Sequence, residues 1–341
     1  MKFSVGQGRQ VRIGRGAVTF VGLTLLILLA IHIYGALTTP LYLDDPEGKI
    51  IEIKRGMNIS EISLLLKKEK VIRDVWLFKL LTRVKYGMVI KAGEYRMNST
   101  INILQLLDML EHGKALCHKV TVPEGRTIRQ IAEILAERGM ADAEKFIETA
   151  NDPALARQLG IQAESLEGYL FPDTYCFTKG LPEKLIIEAM VLRFHQVIPR
   201  EWEERAREIG FDFHQIVTLA SLIEKETSCK EEKPLVSAAY HNRLRDGMRL
   251  QCDPTVIYSL ASFGGTLTKE HLSIDSPYNT YRIYGLPPGP IANPGKDSIW
   301  AALHPLNIGY RYFVSKNNGT HQFSFTLEEH NRAVEKYQRR R

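Results

Sequence analysis

From Ala17 to Leu37 the chain runs AVTFVGLTLLILLAIHIYGAL, 21 residues without a formal charge. At 1.5 Å rise per residue that is enough to span a hydrocarbon core. His32 and two threonines dilute the run without breaking it. Lys2, Arg9, Arg12 and Arg15 precede it, while Asp44, Asp45 and Glu47 follow it. The positive-inside rule therefore predicts a single-pass helix over 17–37, with 1–16 in the cytoplasm and a short tether, 38–48, leading to an exported remainder. A cleaved signal peptide is the competing reading. Its apolar core is ordinarily about 7–15 residues, and the only passable cleavage site here, Ala36-Leu37-Thr38, is poor.

Beyond the tether the pattern repeats. Ile51–Ile62 aligns with Val120–Ile131: a short alternating strand, a glycine turn, then a capping box, Asn58 with Glu61 and Thr127 with Gln130. Apolar residues then recur at helical spacing, as Ile59, Ile62 and Leu66 and as Ile128, Ile131 and Leu135. The first copy is expected to close with a strand around Lys91–Met97 and a helix over Ile101–Leu110. The second should close around Gly168–Phe177, with a helix near Glu183–Gln196. The pattern thus predicts modules at 49–118 and, with a connection, 119–205. Both resemble wall-binding repeats of the LysM type. Neither contains a ligand constellation of its own, so binding and plain scaffolding stay open for them.

In the remainder, 206–341, Ile216, Leu219, Ala220 and Ile223 form the apolar stripe of a helix that runs into Glu224. Tyr312–Ser315 and His321–Phe325 flank Asn318-Gly319 as a hairpin, and a last helix begins at the Thr326/Glu329 capping box. Helices and hairpins mix without a βαβ rhythm, so the fold class is α+β: a transmembrane helix, LysM-like modules and a mixed C-terminal catalytic domain.

Composition narrows the function. The 341 residues are 25% charged and 44% hydrophobic, which is ordinary for a folded protein. The net charge of +6 sits partly at the two ends, and no basic stripe interleaved with aromatics lies between them, which argues against a nucleic-acid surface. Cys117, Cys176, Cys229 and Cys252 form no CxxC pair, arguing against zinc or a thioredoxin-type site. Disulfides and four separate buried thiols both remain open. No ligand cluster or nucleotide loop implies a metal or an organic cofactor.

The chemistry concentrates downstream. Glu224 follows Ile223 at the edge of an apolar helix face, where a partly desolvated carboxyl has a raised pKa and can hold the proton that glycosidic cleavage needs. Glu226, two residues on, points elsewhere on the helix. Gln251-Cys252-Asp253-Pro254-Thr255 combines hydrogen-bonding groups with a rigid proline, and Tyr278-Asn279-Thr280-Tyr281 has the aromatic–polar alternation suited to sugar rings. Gly285–Ile291 and Asn293-Pro294-Gly295 read as stiff loops.

Taken together, Glu224–Thr227, Asn242–Leu244, Gln251–Tyr258, Tyr278–Tyr281, Gly285–Ile291, Asn293–Gly295, His304-Pro305 and Ser165–Tyr175 resemble the endolytic murein transglycosylase family, the YceG-like proteins. The likeness runs in order through nearly everything after the apolar run. Cys252 departs from it, at a position expected to carry a small polar residue. The resemblance implies a lytic transglycosylase acting on peptidoglycan glycan strands, with Glu224 as acid and then base. Gln251, Asp253, Tyr278, Asn279, Tyr281, Asn293 and Glu167 are the expected substrate contacts. A second carboxylate, if used, would be Asp253, Glu167 or Asp173. Family membership also implies partners in wall synthesis and division. Two rival readings are a hydrolytic muramidase on the same scaffold and a catalytically silent wall-binding scaffold.

Overall fold

The structure is a computed structural model describing residues 15–40, 48–84, 89–98, 100–260 and 264–339. The expected cytoplasmic segment up to residue 14, most of the tether and the terminal Arg340-Arg341 lie outside the described residues. The chain divides into two compact units, Met1–Leu116 and Cys117–Arg341.

The first unit opens with α1 (Arg15–Thr38), one uninterrupted helix of 24 residues. Among the described residues no helix is long and apolar enough to cross a membrane. In α1 the side chains at 15–19, 21, 29 and 36 fall outside the described residues. β1 (Lys49–Ile53) is followed by α2 (Ile59–Lys68) and α3 (Val75–Val84), and then by β2 (Gly93–Met97), which pairs antiparallel with β1 so that Ile51 faces Tyr95. α4 (Ile103–His112) closes the unit. Asn58 and Glu61 form the expected capping box at α2, and Asn102 with Gln105 adds one at α4. Ile51, Ile53, Ile62, Leu66, Phe78, Tyr95, Leu106 and Leu110 make one small core. α3 is not among the expected elements, and it leaves apolar residues on its outer face as well as its inner one. Phe78 is buried, whereas Trp76, Leu80 and Val84 are exposed.

The second unit begins with the same order. β3 (His118–Thr121), α5 (Ile128–Glu137), α6 (Ala143–Ala150) and α7 (Pro153–Gln158) precede β4 (Thr174–Phe177), which pairs antiparallel with β3. β4 is shorter than the expected Gly168–Phe177. The Val122 N–H still donates to Asp173 O at 2.9 Å, but Pro172 has no N–H to offer and the Leu170 N–H is taken by the Asn293 side chain, so the pairing goes no further back than Asp173. Cys117 and Cys176 form a disulfide across this strand pair, with Cα atoms 5.3 Å apart, while Cys229 and Cys252 are free.

α8 (Glu183–Val197) and α9 (Glu201–Glu208) lead to α10 (Phe213–Glu226), capped by Asp212 and Gln215. Every residue of α10 from Ile216 to Ile223 is buried, so the expected stripe is in fact a helix covered all round. Thr218 and Ser221 go inside because their hydroxyls donate to the carbonyls of His214 and Thr218. α11 (Lys233–Arg245), α12 (Asp253–Ser259), α13 (Lys269–Leu272) and α14 (Lys296–Leu303) follow, and α10 packs against α9, α11, α12 and α14. The hairpin β5 (Tyr312–Ser315) and β6 (His321–Ser324) turns at Asn318-Gly319, and α15 (Leu327–Val334) starts at the Thr326/Glu329 box. Residues expected in a second module and those expected in a catalytic domain share a single core, in which Ile131, Leu135 and Phe146 join Leu219, Leu222 and Ile299. A two-stranded sheet is too small to bury the faces of three helices by itself.

The disulfide closes a loop of 59 residues. Replacing both Cys117 and Cys176 by serine is expected to cost about 2–4 kcal/mol, read from the denaturant midpoint, and non-reducing peptide mapping should recover the 117–176 pair from the parent.

Candidate active site

α10 ends at Glu226 and is capped by Thr227, whose backbone swings to the extended region (φ −144°, ψ 136°), so Glu224 lies in its last turn. A helix C-terminus disfavours a carboxylate there. The start of α14 answers it. The N–H of Gly295, the N-cap, donates to Glu224 Oε2 at 3.0 Å, and Ser298 Oγ donates to the same oxygen at 2.6 Å. Lys233, the first residue of α11, places Nζ 3.1 Å from Oε2 and 3.3 Å from Oε1. The side chains of Glu224 and Lys233 are 7% and 3% exposed. The apolar edge expected from the sequence is thus a nest of donors. Oε2 receives three hydrogen bonds and Oε1 one, which leaves Oε1 with room for another partner.

A second carboxyl shares this nest. Gly125 takes φ +72°, turning the chain after β3 so that its N–H donates to Asn293 O while the Asn293 N–H donates to Arg126 O, each at 2.9 Å. That stitch lays the Glu124 carboxyl over Gly295. A Cβ at position 295 would fall 1.9 Å from Glu124 Oε1. Glu124 Oε2 is 3.8 Å from Lys233 Nζ. Burial, and then the negative charge of Glu224, push the Glu124 carboxyl above its usual range, with Lys233 pulling the other way. Lys225 donates to Gly125 O at 3.3 Å. Burial and the neighbouring Arg126 hold its ammonium below the usual lysine range.

The carboxyl beside Glu224 is therefore none of the three expected ones. Asp173 is paired with Arg193 at 2.6 Å. Burial opposes its charge, but the Thr174 N–H and Arg193 outweigh burial and hold it below the usual range. Glu167 is buried at 4% exposure. Its oxygens accept from the Ile128 N–H that opens α5 (3.1 and 3.2 Å), from Asn293 Nδ2 (2.9 Å) and from Tyr258 Oη (3.3 Å). Burial prevails over these donors and its carboxyl is pushed up to about 8. Asn293 is fully buried, donating also to Arg126 O at 2.8 Å and accepting from Leu170 N. Asn279 is likewise buried, with its amide donating to the carbonyls of Leu272 and Ile274. With no free side-chain surface, Glu167, Asn279 and Asn293 hold loops in this structure rather than face a substrate.

The other expected contacts keep exposed surface, in two places. Gln251 and Asp253 flank buried Cys252. Gln251 has a left-handed backbone (φ 50°) and donates its N–H to Thr280 O, while Tyr281 Oη donates to Asp253. Tyr278 lies against Tyr258, ring centres 5.0 Å apart, and borders a cleft of about 430 Å³ with His214, Glu164 and Pro288; Glu224 does not line it. Glu226 points away from Glu224 and accepts from Tyr240 Oη (2.8 Å) and the Cys252 thiol, burial keeping its carboxyl above the usual range. Cys252 thus supplies the small weak donor that its position asks for. Among the described residues no group of three or more His, Cys, Asp or Glu is placed to hold a metal ion.

Sequence reasoning missed Glu124, Lys233 and Ser298, which lie 100, 9 and 74 residues from Glu224. The one available signal was the repeat itself, whose second copy carries Glu124 where the first carries Arg55.

The second unit is thus an α+β unit organised around one buried helix, whose last turn presents Glu224 to a nest of donors. The chain belongs to the YceG-like family, whose model matches residues 51–336. It is 34% identical to an endolytic murein transglycosylase of Bacillus subtilis (strain 168) over 329 residues, 92% of this chain and 91% of that protein. An endolytic murein transglycosylase of Streptococcus pneumoniae (strain D39) is 26% identical over 83% of this chain, which spans 57% of that longer relative. The crystal structure of a YceG-like protein from Listeria monocytogenes shares the mixed α+β fold at a TM-score of 0.58 and 33% identity, covering 84% of this chain and 99% of that one.

The buried Glu167 carries a sign for stability. Native Glu167 keeps its proton up to about pH 8, whereas an unperturbed carboxyl of 4.5 has lost it, so folded chains bind more protons in that window. Stability is expected to fall as pH rises from about 4.5 to 8, by up to about 1.4 kcal/mol per unit. Glu167→Gln should flatten the slope, read from urea midpoints at several pH values.

Proposed function

We propose that this chain is an endolytic lytic transglycosylase, cutting the β-1,4 bond between N-acetylmuramic acid and N-acetylglucosamine in nascent peptidoglycan. The observation that carries the reading is the Glu224 carboxylate in the last turn of α10, with three donors on Oε2 and one on Oε1. Protonated Glu224 gives its proton to the glycosidic oxygen, the C1–O bond breaks and the N-acetylglucosamine end departs with a hydroxyl. The resulting carboxylate is met by Lys233, Ser298 and the Gly295 N–H, which favour that charged form. It then takes the proton from the muramyl 6-hydroxyl as O6 bonds to C1. The product is a 1,6-anhydro end, no water is consumed, and Glu224 regains its starting proton. The intramolecular attack has a high effective molarity, so water loses the competition.

Gln251, Asp253, Tyr281 and Tyr278, which retain surface, are the substrate contacts of this reading. Glu167, Asn279 and Asn293 hold the loops behind them. Residues 17–37 anchor the chain in the cell membrane, with the N-terminus inside and the catalytic unit outside. Support comes from the uncharged 21-residue run and from α1, whose 24 residues extend about 36 Å. The strand–helix–helix–strand order of the first unit suits a LysM-like glycan-binding module. A membrane position of this kind would bring the enzyme to new strands and to the wall-synthesis and division proteins.

The test is mass spectrometry of products from uncrosslinked glycan strands. The parent should release anhydro-muramyl ends, and Glu224→Gln should lower the rate at least about 1,000-fold. Reducing ends would make the enzyme a muramidase, and equal cutting by both proteins would remove Glu224 from the mechanism. Deleting residues 1–38 should move the protein from the membrane pellet to the soluble fraction.

A further inference from the structure

The transglycosylase reading asks one carboxyl to be an acid and then a base. Around Glu224 only the second role has obvious support, since three donors converge on it. Something must make the protonated state accessible as well. Lys233 is the difficulty: an ammonium 3% exposed cannot be left without a counter-charge when Glu224 takes up its proton.

We propose that Glu124 is a positioning residue for Glu224 that acts through Lys233, the ammonium leaning on Glu224 when that group is ionised and on Glu124 when it is protonated. This deepens the transglycosylase reading and rests on it. The geometry supports a swing of the side-chain end alone, since Nζ is 3.1 Å from Glu224 and 3.8 Å from Glu124. The main chain before Lys233 is pinned, because Glu232 accepts from Thr227 Oγ1 and from both the backbone N–H and the ring of His321. Glu124 is half-exposed, so it can carry charge at less cost than a fully buried group. Its other charged neighbours are Asp297 and Lys230, themselves paired at 2.8 Å; Asp297 also feels Lys233 and Lys296, but the ion pairs that Lys233 itself makes are with the two glutamates. Lys225 and Arg126 stand on the side of Glu224 that meets Gly125.

Gly295 is the independent witness. Its φ of −74° and ψ of 167° suit any residue, so backbone strain does not call for glycine there. What excludes a side chain is the Glu124 carboxyl, which occupies the place of the Cβ. The turn that feeds Glu224 its backbone donor is thus shaped to admit Glu124.

The experiment uses the full chain in detergent, with uncrosslinked strands as substrate and anhydro-end release as the rate. Glu124→Gln should lower kcat about 10- to 100-fold at pH 7 with little change in KM. Its activity should recover toward acid pH, because Lys233 then has only Glu224 to rest on. Glu124→Asp should restore part of the rate, and Gly295→Ala should reproduce the shifted profile by displacing Glu124. A parent-shaped pH profile in Glu124→Gln, or an effect on KM alone, would overturn the proposal. An arm that needs no catalysis is the unfolding midpoint at pH 7 of Glu124→Gln, Glu224→Gln and the double variant. The double variant strands Lys233 and should fall further than the two single shifts together, a surplus absent when Lys233→Met is the background. Additive midpoints refute the shared ammonium even if the parent cuts as expected. A surplus with reducing ends, or with no cutting, sinks the transglycosylase reading and leaves the shared ammonium standing.

Discussion

The site depends on a carboxyl buried among the chain's own donors. Glu167 is buried where it opens α5, and with Asn293 it ties together segments 126 and 167 residues apart in the chain. Asn293 serves three of them at once: it donates to Arg126 O and Glu167 and accepts from Leu170 N. Burying such a group is costly, and the cost is met only because each oxygen finds donors. In return the loop after β3 is held against the turn before α14, and that contact brings Glu124 and Gly295 to Glu224. Without it the two loops would have only two backbone hydrogen bonds between them.

Helix ends set the electrostatics of the same place. α10 delivers Glu224 at its carbonyl end, an unfavourable location for an anion, while α14 presents its amide end to the same carboxylate. α11 starts there too, with a cation in its first turn where an anion would be preferred. Neither Glu224 nor Lys233 is well placed by its own helix. Each is stabilised by another element, which is why the nest exists only in the assembled unit.

This explains what could be read from the chain alone. The capping boxes at Asn58, Thr127 and Thr326, the hairpin at Asn318-Gly319 and the helix leading to Glu224 all rest on patterns within a few residues, and all are present. α3 was legible in principle, since its apolar residues favour one face of a helix, but it lies between the repeat's paired segments and was not among the expected elements. The common core of residues 117–341 was hidden by a repeat that suggested separate modules. Among the site residues, Glu224 had a local signature, an ionisable group closing an apolar helix. Lys233 looked like one more charge in a Lys-Glu-Glu-Lys stretch, and Glu124 like a turn residue. Asn279 and Asn293 were recognisable as unusual, but polarity in a loop does not reveal whether an amide turns outward to a ligand or inward to bare carbonyls.

The unequal loading of the two Glu224 oxygens has a stereochemical consequence. If Oε1 alone meets the sugar, proton delivery and proton removal both occur on one face of the ring. The departing oxygen and the arriving O6 must then use that same face in turn, and the configuration at C1 is kept. Inversion would need a base on the opposite face to activate water. A bridge between C1 and C6 can close only on the side from which the β-linked neighbour has left, so the one open oxygen and the bicyclic product have matching handedness.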